Sequence, residues 1–254
     1  MNSQIKNMKI CILAGGQGKR MKSELPKVCV SFKGLPMIVH VIHVSLKLNP
    51  NKIIIITGKF NDIIQQTIKP WINIDDFDKL EFVIQEKPLG TGHAVKCSLG
   101  SYDYNNSKEE VLILNGDCPN LDAELLSNFI EYKSGFNKLL ISEINNPYGY
   151  GRILMNNKNE ILKIVEEKDA NEDERKVNKI NSGIYLLRSI DLIKYMLFIT
   201  NNNKSNEYYL TDIIEIMMNN CISTYGYLIN KEFNNKILGI NTIEQLKELE
   251  NIEK

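Results

Sequence analysis

A glycine-rich segment near the start of the chain combines a flexible backbone with several cations. The apolar run that ends at Ala14 is followed by Gly15, Gly16 and Gly18, and basic residues come next. Glycines let backbone N–H groups approach phosphate oxygens, and a guanidinium can hydrogen-bond two such oxygens at once. The segment is typical of a phosphate-binding loop, although a tight turn with solvated basic residues would also account for it. The basic residues are Lys19, Arg20, Lys22 and Lys27.

Two widely distributed phosphate motifs do not fit this segment. A P-loop would need glycine in place of Leu13 and Ser or Thr in place of Arg20, and a dinucleotide-binding fingerprint would need glycine in place of Met21. Lys27 follows Pro26, whose fixed backbone angle could aim the ammonium at a reacting phosphate. If the segment binds phosphate, it does so through a third kind of loop.

Asp117 stands at the end of another apolar run. Residues 110–115 predict a buried strand, and Gly116 and Asp117 follow it. In open α/β sheets, ligands bind at the carboxyl ends of the strands. A lone carboxylate there suits Mg²⁺, which prefers oxygen ligands, keeps several waters and bridges to substrate phosphates. The sequence therefore makes Asp117 a candidate metal ligand.

The elements that must position these residues alternate through about the first 145 residues. Short apolar runs, such as residues 52–57, are typical of central buried strands, and helix-like runs separate them. This alternation predicts a parallel sheet that is covered by helices on both faces. After residue 145 we expect a hairpin with its turn at 156–159, a strand at 179–187 and further helices. The predicted fold is α/β, a Rossmann-like, mixed and mainly parallel sheet flanked by helices, with a smaller β lobe.

Two polar stretches and the end of the chain complete the predicted organisation. Residues 169–179 and 200–207 are polar enough to predict mobile loops. The last residues have the pattern of a charged amphipathic helix.

Length and composition restrict the class of protein. The 254 residues, of which 43% are hydrophobic, are enough for one large domain. A formal net charge of +0, from 31 basic and 31 acidic residues, predicts neither nucleic-acid binding nor a polybasic membrane anchor. The five cysteines are scattered and form no CxxC pair, and neither a membrane span nor a signal peptide is recognisable. We expect a reduced, cytoplasmic protein whose residues 1–7 form a loose leader.

Eight short segments carry a resemblance to a known family. In chain order they are LAGGQGKRM with LPK, QEKPLGTGHA, LNGDCPN, PYGYGRI, IVEEKDA, INSGIYL, NEYYLTDII and GIN. Together they resemble the sugar-phosphate nucleotidyltransferase family, and most closely the uridylyltransferase domain of the bifunctional bacterial enzymes that make UDP-N-acetylglucosamine. The resemblance spans about residues 8–254 and does not extend to the acetyltransferase domain of those enzymes.

The resemblance implies a fold, a division of the chain and a set of site residues. The fold would be that of the nucleotide-diphospho-sugar transferases, a single domain with a nucleotide-binding half at about 8–145, a sugar-binding half at about 146–241 and a C-terminal helix at 242–254. Arg20 and Lys27 would be catalytic. The nucleotide would contact Leu13, Ala14, Gly15, Gly16, Gln85, Gly90 and Thr91, the sugar would contact Tyr150, Gly151, Glu166, Asn181, Tyr209 and Thr211, and Mg²⁺ would be held by Asp117 and Asn241.

The chemistry of the base-binding residues leaves an alternative open. An amide such as that of Gln85 suits the N3–H and O4 of uracil, whereas the flipped amide would serve cytosine. Backbone donors at Gly90 or Thr91 that face O4 would favour uracil. His93 could help to orient this loop, and we do not expect it to be catalytic.

Some of the sugar-binding assignments also have simpler explanations. A carboxylate such as Glu166 is more often a solvated charge than a ligand, and Tyr209 could belong to the core. Where relatives in the family often have Tyr, this chain has Asn115, which leaves the local contact to sugar or base undetermined.

The resemblance implies a Mg²⁺-dependent uridylyltransferase. Its substrates would be UTP and N-acetylglucosamine 1-phosphate, and its products UDP-N-acetylglucosamine and pyrophosphate. One alternative keeps the reaction but changes the sugar 1-phosphate, for example to glucose 1-phosphate, or the donor to dTTP or CTP. Another is a nucleotide-sugar-binding subunit without turnover. We expect no nucleic acid or membrane partner, and the sequence leaves open whether the protein is a monomer or a homodimer.

Overall fold

A computed structural model of the chain describes residues 7–16, 18–21 and 23–252, with the side chain of Lys19 left out of that description. The leader expected at residues 1–7 lies outside the described residues except for Asn7, and so do Gln17 and Lys22. No helix among the described residues is long and apolar enough to cross a membrane.

Strands and helices alternate along the described chain. The strands are β1 (Met8–Leu13), β2 (Ser31–Phe32), β3 (Leu35–Pro36), β4 (Lys52–Thr57), β5 (Leu80–Ile84), β6 (Glu110–Asn115), β7 (Asn137–Glu143), β8 (Arg152–Met155), β9 (Ile161–Val165), β10 (Lys179–Arg188) and β11 (Thr224–Leu228). The helices are α1 (Met37–Lys47), α2 (Asn61–Ile68), α3 (Ile74–Phe77), α4 (Thr91–Cys97), α5 (Ala123–Glu131), α6 (Glu172–Arg175), α7 (Ser189–Tyr195), α8 (Asp212–Asn219), α9 (Asn234–Ile237) and α10 (Ile243–Ile252).

Most of the described strands form one sheet in the order β11-β7-β10-β6-β1-β4-β5, with the β8–β9 hairpin attached to β10. β1 pairs in parallel with β4 and β6, and β4 pairs in parallel with β5. β10 runs antiparallel between β6 and β7, and β11 is parallel to β7. The prediction of a mixed, mainly parallel sheet is confirmed.

The carboxyl ends of β1, β4, β5 and β6 meet at one edge of this sheet. Leu13 at the end of β1 lies in register with Ile56 on one side and Asn115 on the other. Backbone bonds continue past the strand ends, since the Ala14 N–H donates to the Ile56 oxygen at 2.8 Å and the Gly116 N–H donates to the Leu13 oxygen at 3.0 Å. The loops that follow these four strands are therefore held side by side.

The smaller β lobe consists of the β8–β9 hairpin and the first part of β10. The hairpin turn contains Asn159 with φ of 62°, within the predicted turn. β10 bulges between Asn181 and Tyr185, where Gly183 adopts a φ of 78° and lies so close to the Asn115 amide that a Cβ would overlap it. Because its two ends pair with β8 and with β6, β10 joins the lobe to the main sheet.

Helices cover both faces of the sheet and enclose two apolar clusters. One cluster contains side chains of α1, α2 and α5, and the other contains side chains of α4, α7 and α8. The C-terminal helix α10, predicted as 242–254, places Leu246 and Leu249 against a third cluster that includes Met21 and Phe32. This contact holds α10 against Met21, which follows the glycine-rich segment.

One local prediction is wrong in part. The polar stretch 169–179, expected as a mobile loop, contains the one-turn helix α6. Asn171 accepts from the backbone N–H of Glu174 at 2.9 Å, while the Glu174 carboxylate accepts from the N–H of Asn171 at 2.9 Å. This capping box stabilises a short helix without any buried apolar side chain. Residues 200–207 form no helix or strand.

Candidate active site

A cavity of about 290 Å³ opens at the carboxyl edge of the sheet. Six of the seven residues predicted to bind a nucleotide line it, together with Lys27 and Asp117: they are Leu13, Gly15, Gly16, Gln85, Gly90 and Thr91. Ala14 is the exception, because its side chain is buried in the core and its N–H is used in the bond to Ile56. The cavity is at the lower end of the size range of small-molecule sites.

The glycine-rich segment turns sharply after β1 and runs close to Lys27. Gly18 has a φ of 61°, and a Cβ at this position would overlap the side chain of Lys27. Glycine is therefore required at Gly18 both by the backbone angle and by the space available. Pro26, with φ of −52°, precedes a single 3-10 turn at Lys27–Cys29 and fixes the direction from which Lys27 enters the cavity.

The ammonium of Lys27 lies between two side-chain oxygens at one end of the cavity. Its Nζ donates to Oδ2 of Asp117 and, at 3.0 Å, to Oδ1 of Asn241. Nη2 of Arg20 lies 3.4 Å from the same Asn241 oxygen. The side chains of Lys27 and Asp117 are only 14% and 16% exposed. The two cations and the two oxygen ligands that the sequence predicted, which are up to 221 residues apart in the chain, are thus brought together.

Asp117 and Asn241 are held in place by close backbone contacts. The Ile240 N–H donates to the Asp117 backbone oxygen at 2.9 Å, and a Cβ on Gly239 would come within 2.9 Å of the Asp117 carboxylate. Gly239 therefore lets the segment before α10 approach the end of β6. The Asn241 amide nitrogen donates to the Gly239 oxygen at 3.2 Å, which turns its Oδ1 towards Lys27.

The oxygen atoms of Asp117 and Asn241 fit a magnesium ion. Both lie against one cationic nitrogen, that of Lys27, so the two oxygens already converge on a position for positive charge. A carboxylate and an amide carbonyl are hard oxygen ligands, and Mg²⁺ usually takes few protein ligands and completes its shell with water and phosphate. In the part of the chain that the structure describes, no three His, Cys, Asp or Glu side chains are grouped to hold a metal ion.

At the other end of the cavity, Gln85 is fixed by hydrogen bonds. Its side chain is 7% exposed, and its amide nitrogen donates to the Gly90 oxygen at 3.0 Å. The same nitrogen lies 3.0 Å from Nδ1 of His93. Gly90 has a φ of 110° and precedes α4, whose first N–H groups have no acceptor within the helix.

The loop that carries Gly90 is joined to a distant segment, residues 207–210. Gly92 donates to the Tyr208 oxygen at 2.7 Å, and the Tyr208 N–H donates to the Leu89 oxygen at 2.8 Å. The Leu210 N–H donates to Oγ1 of Thr91 at 3.1 Å. Residues 89–92, called the base loop because the family resemblance assigns Gly90 and Thr91 to the nucleotide, are thus bonded directly to this segment, and the two form one structural unit.

Four of the six residues predicted to contact a sugar lie together at the junction of β8, β9 and β10. The Asn181 N–H donates to the Gly151 oxygen at 2.9 Å. A Cβ on Gly151 would lie 3.4 Å from Oε1 of Glu166 and 3.5 Å from the Cβ of Asn181. The Thr211 hydroxyl donates to Oε1 of Glu166 at 3.0 Å. The tightest contact of that Cβ would be with the side chain of Ile164, at 3.0 Å, so glycine at 151 lets the start of β8 approach β9 closely.

The two tyrosines predicted to contact a sugar have different neighbours. Burial raises the pKa of Tyr150, and the nearby Cys118 and Asp117 raise it further, which places Tyr150 near the metal-ligand candidates. Tyr209 lines a second cavity of about 480 Å³ together with Glu166. Burial also raises the pKa of Tyr209.

The carboxylates around Thr211 raise one another's pKa. Burial raises the pKa of Glu166, the Thr211 hydroxyl opposes this rise, and Asp169 adds to it. Burial, followed by the charges of Glu166 and Glu215, raises the pKa of Asp212 to about 6. This part of the site has an excess of negative charge, in contrast to the Lys27 end.

Sequence reasoning assigned no role to Glu207 and left the roles of Asn115 and His93 open. Glu207 lines the cavity, although the same NEYYLTDII segment had been interpreted through Tyr209 and Thr211. Asn115, whose role was left undetermined, lines the cavity and lies 3.5 Å from the Ser182 oxygen. His93 contacts Gln85, and its spacing of eight residues from Gln85 across the loop is the only signal of that contact in the sequence.

Cations from a glycine-rich loop face a lone carboxylate at the end of a parallel strand, which is an arrangement suited to group transfer at a nucleotide phosphate. The chain belongs to the nucleotidyl transferase family. The model of that family, described as "Nucleotidyl transferase", matches residues 9–233. The match includes both halves of the chain and ends before α10.

Several relatives are similar over nearly the whole chain. A "Probable UDP-N-acetylglucosamine pyrophosphorylase" of Acanthamoeba polyphaga mimivirus is 42% identical over 96% of this chain and 96% of its own length. Proteins named "Bifunctional protein GlmU" from Legionella pneumophila and Streptococcus uberis are each 37% identical over 97% and 91% of this chain. The chain spans about half the length of these bifunctional relatives, 52% and 48%.

Solved structures share the fold at low sequence identity. A UDP-glucose pyrophosphorylase in complex with UDP-glucose aligns with a TM-score of 0.72 and 18% identity over 97% of this chain and 98% of the other. HddC from Yersinia pseudotuberculosis, in complex with GMP-PN, aligns with a TM-score of 0.67 and 20% identity over 97% of this chain and 99% of the other. The fold is that of the nucleotide-diphospho-sugar transferases, as the family resemblance implied.

Proposed function

We propose that this chain is a UDP-N-acetylglucosamine pyrophosphorylase, which converts UTP and N-acetylglucosamine 1-phosphate into UDP-N-acetylglucosamine and pyrophosphate. One observation carries the proposal: Lys27, Asp117 and Asn241 converge at one end of a cavity whose other end presents Gln85. The mimivirus relative of that name, similar over nearly its full length, supports the choice of substrates.

The reaction requires an exchange of bonds at one phosphorus atom. An oxygen of the sugar 1-phosphate attacks the α-phosphorus of UTP, and the bond from that phosphorus to the oxygen bridging to the β-phosphate breaks. Pyrophosphate leaves with the electron pair of that bond. A phosphate monoester is ionised at neutral pH and is already a nucleophile, so the protein needs to position the reactants and neutralise charge rather than supply a base.

Lys27 and Arg20 would supply the positive charge at the transferring phosphate. The Lys27 ammonium sits at the end of the cavity near the glycine-rich segment, and Arg20 is exposed next to Asn241, where it can hydrogen-bond phosphate oxygens. Each such charge-assisted hydrogen bond is worth about 1.5–3 kcal/mol. Both residues would stabilise the negative charge that grows on the oxygens during transfer.

Asp117 and Asn241 would hold a magnesium ion. When bound, Mg²⁺ supplies positive charge that reduces the repulsion between two phosphorylated substrates. The amide ligand Asn241 keeps the protein part of the site at a single negative charge, which favours the approach of phosphates. Lys27 would give up its bonds to the two oxygens and turn towards phosphate.

The sugar would lie against the group that contains Gly151 and Glu166. Glu166 and Asn181 offer acceptors and donors to sugar hydroxyls and to an acetamido group, and Gly151 adds a backbone contact without a side chain of its own. The Tyr150 side chain offers an aromatic face near the same place. These assignments concern contacts, and none of these residues is needed for the bond exchange itself.

Measurement of pyrophosphate release tests the proposal. Purified protein with Mg²⁺ and UTP would be given N-acetylglucosamine, glucose and galactosamine 1-phosphates in turn, and the assay would be repeated with EDTA. We expect release with N-acetylglucosamine 1-phosphate and loss of release on chelation. Release with only another sugar, or only with dTTP or CTP, would contradict the assigned substrates but keep the reaction. No release with any pair would favour a binding subunit without turnover.

A further inference from the structure

The orientation of the Gln85 amide is fixed by an atom that can only accept. The nitrogen Nε2 lies 3.0 Å from the Gly90 backbone oxygen, and a carbonyl has no proton to donate. The amide oxygen must therefore point the other way. It lies towards the glycine-rich segment, where a Cβ on Gly15 would be 3.5 Å from it, and both residues line the nucleotide cavity.

A second acceptor on the same nitrogen comes from His93. Its Nδ1 lies 3.0 Å from Nε2 of Gln85. Since Nε2 is a donor, Nδ1 must carry its lone pair, and the proton of the neutral ring must be on Nε2 of His93. The Cys97 thiol, 3.9 Å from Nδ1, is also a donor to this atom.

The surroundings of His93 favour this neutral form. Burial lowers the pKa of His93, and the nearby Lys96 lowers it further. The ring packs against the ring of Tyr208, with the centroids 6.1 Å apart. The groups around the imidazole are thus the Lys96 ammonium, the Cys97 thiol, the Tyr208 ring and the Gln85 amide.

We propose that His93 is a positioning residue that sets the choice of base, because it holds the Gln85 amide with its oxygen towards the nucleobase. This inference rests on the proposed function for the identity of the nucleotide. An oxygen in that place accepts from the N3–H of uracil, whereas the N3 of cytosine is itself an acceptor and opposes it. Thymine presents the same N3–H as uracil, so the arrangement does not distinguish UTP from dTTP.

Removal of the His93 acceptor leaves the amide held by Gly90 alone. Flipping the amide, so that its nitrogen faces the base, would then break one hydrogen bond, that to Gly90, instead of two. Loss of one bond of this kind changes an equilibrium about fivefold to tenfold. The discrimination between UTP and CTP is the quantity that should respond, and the discrimination between UTP and dTTP should not.

The test compares three variants with the unaltered protein. His93→Phe keeps a ring and removes the acceptor, His93→Asn keeps an acceptor on a shorter side chain, and Cys97→Ala removes the neighbouring thiol as a matched control. The ratio of kcat/KM for CTP to that for UTP would be measured with N-acetylglucosamine 1-phosphate, and dTTP would be measured alongside. The dissociation constants of UTP and CTP would be measured by calorimetry without the sugar phosphate.

We expect His93→Phe to raise the ratio of kcat/KM for CTP to that for UTP about fivefold to tenfold, through KM. His93→Asn should raise this ratio less than His93→Phe does. Cys97→Ala should leave the ratio unchanged. An unchanged ratio in His93→Phe would overturn the proposal. An equal loss for dTTP and UTP, with no gain for CTP, would also overturn it, since that pattern indicates a merely structural role. Because calorimetry needs no turnover, a failure of this inference can be distinguished from a failure of the pyrophosphorylase assignment.

Discussion

The two ends of the site carry opposite charge and are stabilised by different interactions. At the end proposed to bind phosphate, called the phosphate end, the Lys27 ammonium is paired with Asp117 and shares Asn241 with Arg20. At the sugar end, Glu166 has the Thr211 hydroxyl as its donor, and neighbouring carboxylates raise its pKa after burial has already done so. The protein thus offers cations where phosphates would lie and uncharged donors and carboxylates where hydroxyls would lie.

This difference separates catalysis from selection. Under the proposed function, charge at the phosphate end would act on groups that every nucleotide and every sugar phosphate have in common, so it should affect the rate. The carboxylate and amide groups at the sugar end would act on the parts in which substrates differ, so they should affect affinity. Changes at the two ends should therefore have effects of different size and on different constants.

The largest effect is expected from Asp117→Ala at the phosphate end. This change removes the one carboxylate proposed to hold the metal ion, and we expect a loss of turnover of about 10³-fold or more, with the fold retained. Pyrophosphate release would be measured over a Mg²⁺ titration, and thermal unfolding would check the fold. Asp62→Ala, at an exposed position on α2, is the control. Full activity of Asp117→Ala at high Mg²⁺ would show that the metal assignment is wrong.

A smaller but still large loss is expected from Lys27→Ala. The ammonium contributes charge-assisted hydrogen bonds to the transferring phosphate, and its removal should lower kcat about tenfold to a hundredfold or more. Steady-state kinetics with both substrates would measure this, with Lys47→Ala at the exposed end of α1 as the control. Near-normal turnover of Lys27→Ala would remove this residue from the mechanism and weaken the contrast between the two ends.

At the sugar end, Thr211→Val should change affinity and leave the rate nearly intact. Valine has the shape of threonine but cannot donate to Glu166, so we expect KM for the sugar phosphate to rise about threefold to tenfold while KM for UTP is unchanged. Thr67→Val, which removes a hydroxyl that donates within α2, is the control. A fall in kcat that exceeds the rise in KM would contradict the separation of roles.

The smallest effect concerns stability and its dependence on pH. The pKa of Asp212 is raised from an ordinary value of 3.8 to about 6, so the folded state binds the proton more tightly than the unfolded state. Its contribution to stability is full below about pH 3.8 and is lost as the pH rises through about 6. At pH 8 we expect Asp212→Asn to unfold about 2–4 °C higher than the unaltered protein, and the gain should disappear towards pH 4.

Differential scanning calorimetry at several pH values would check this, with Asp62→Asn as an exposed acidic control. A gain in Tm that is the same at pH 4 and pH 8 would mean that the substitution acts through packing rather than through the charge of Asp212. In that case the buried charge of Asp212 at pH 8 would not destabilise the folded protein as we expect.

The phosphate end was largely predictable from the sequence because its residues follow strands. Parallel strands place their carboxyl ends at one edge of the sheet, so the segments after β1 and β6 are expected to lie close together. The apolar run of β4 indicates another buried strand of the same sheet. Lys27 and Asp117 could therefore be brought together by reasoning alone. Asn241 could not, because its segment lies beyond the sheet and reaches Asp117 through the close approach at Gly239.

The sugar end was predictable only through family resemblance. Gly151, Glu166, Asn181 and Thr211 come from four separated segments, and nothing in their local pattern distinguishes them from surface residues. Their meeting depends on the bulge in β10 and on the pairing of β10 with both β8 and β6, which are tertiary features. The helix α6 was missed for a related reason, since a capping box stabilises it without an apolar face.

The joint between the base loop and residues 207–210 has a consequence for how such proteins diversify. Tyr208 is bonded through both its N–H and its oxygen to residues 89–92, and Gly92 leaves less than 3.0 Å for any Cβ against the Tyr208 backbone. A substitution that moves the base loop therefore also moves the chain that leads into Thr211. We therefore expect a substitution that alters base preference to affect sugar binding as well, unless the other side of this contact changes with it.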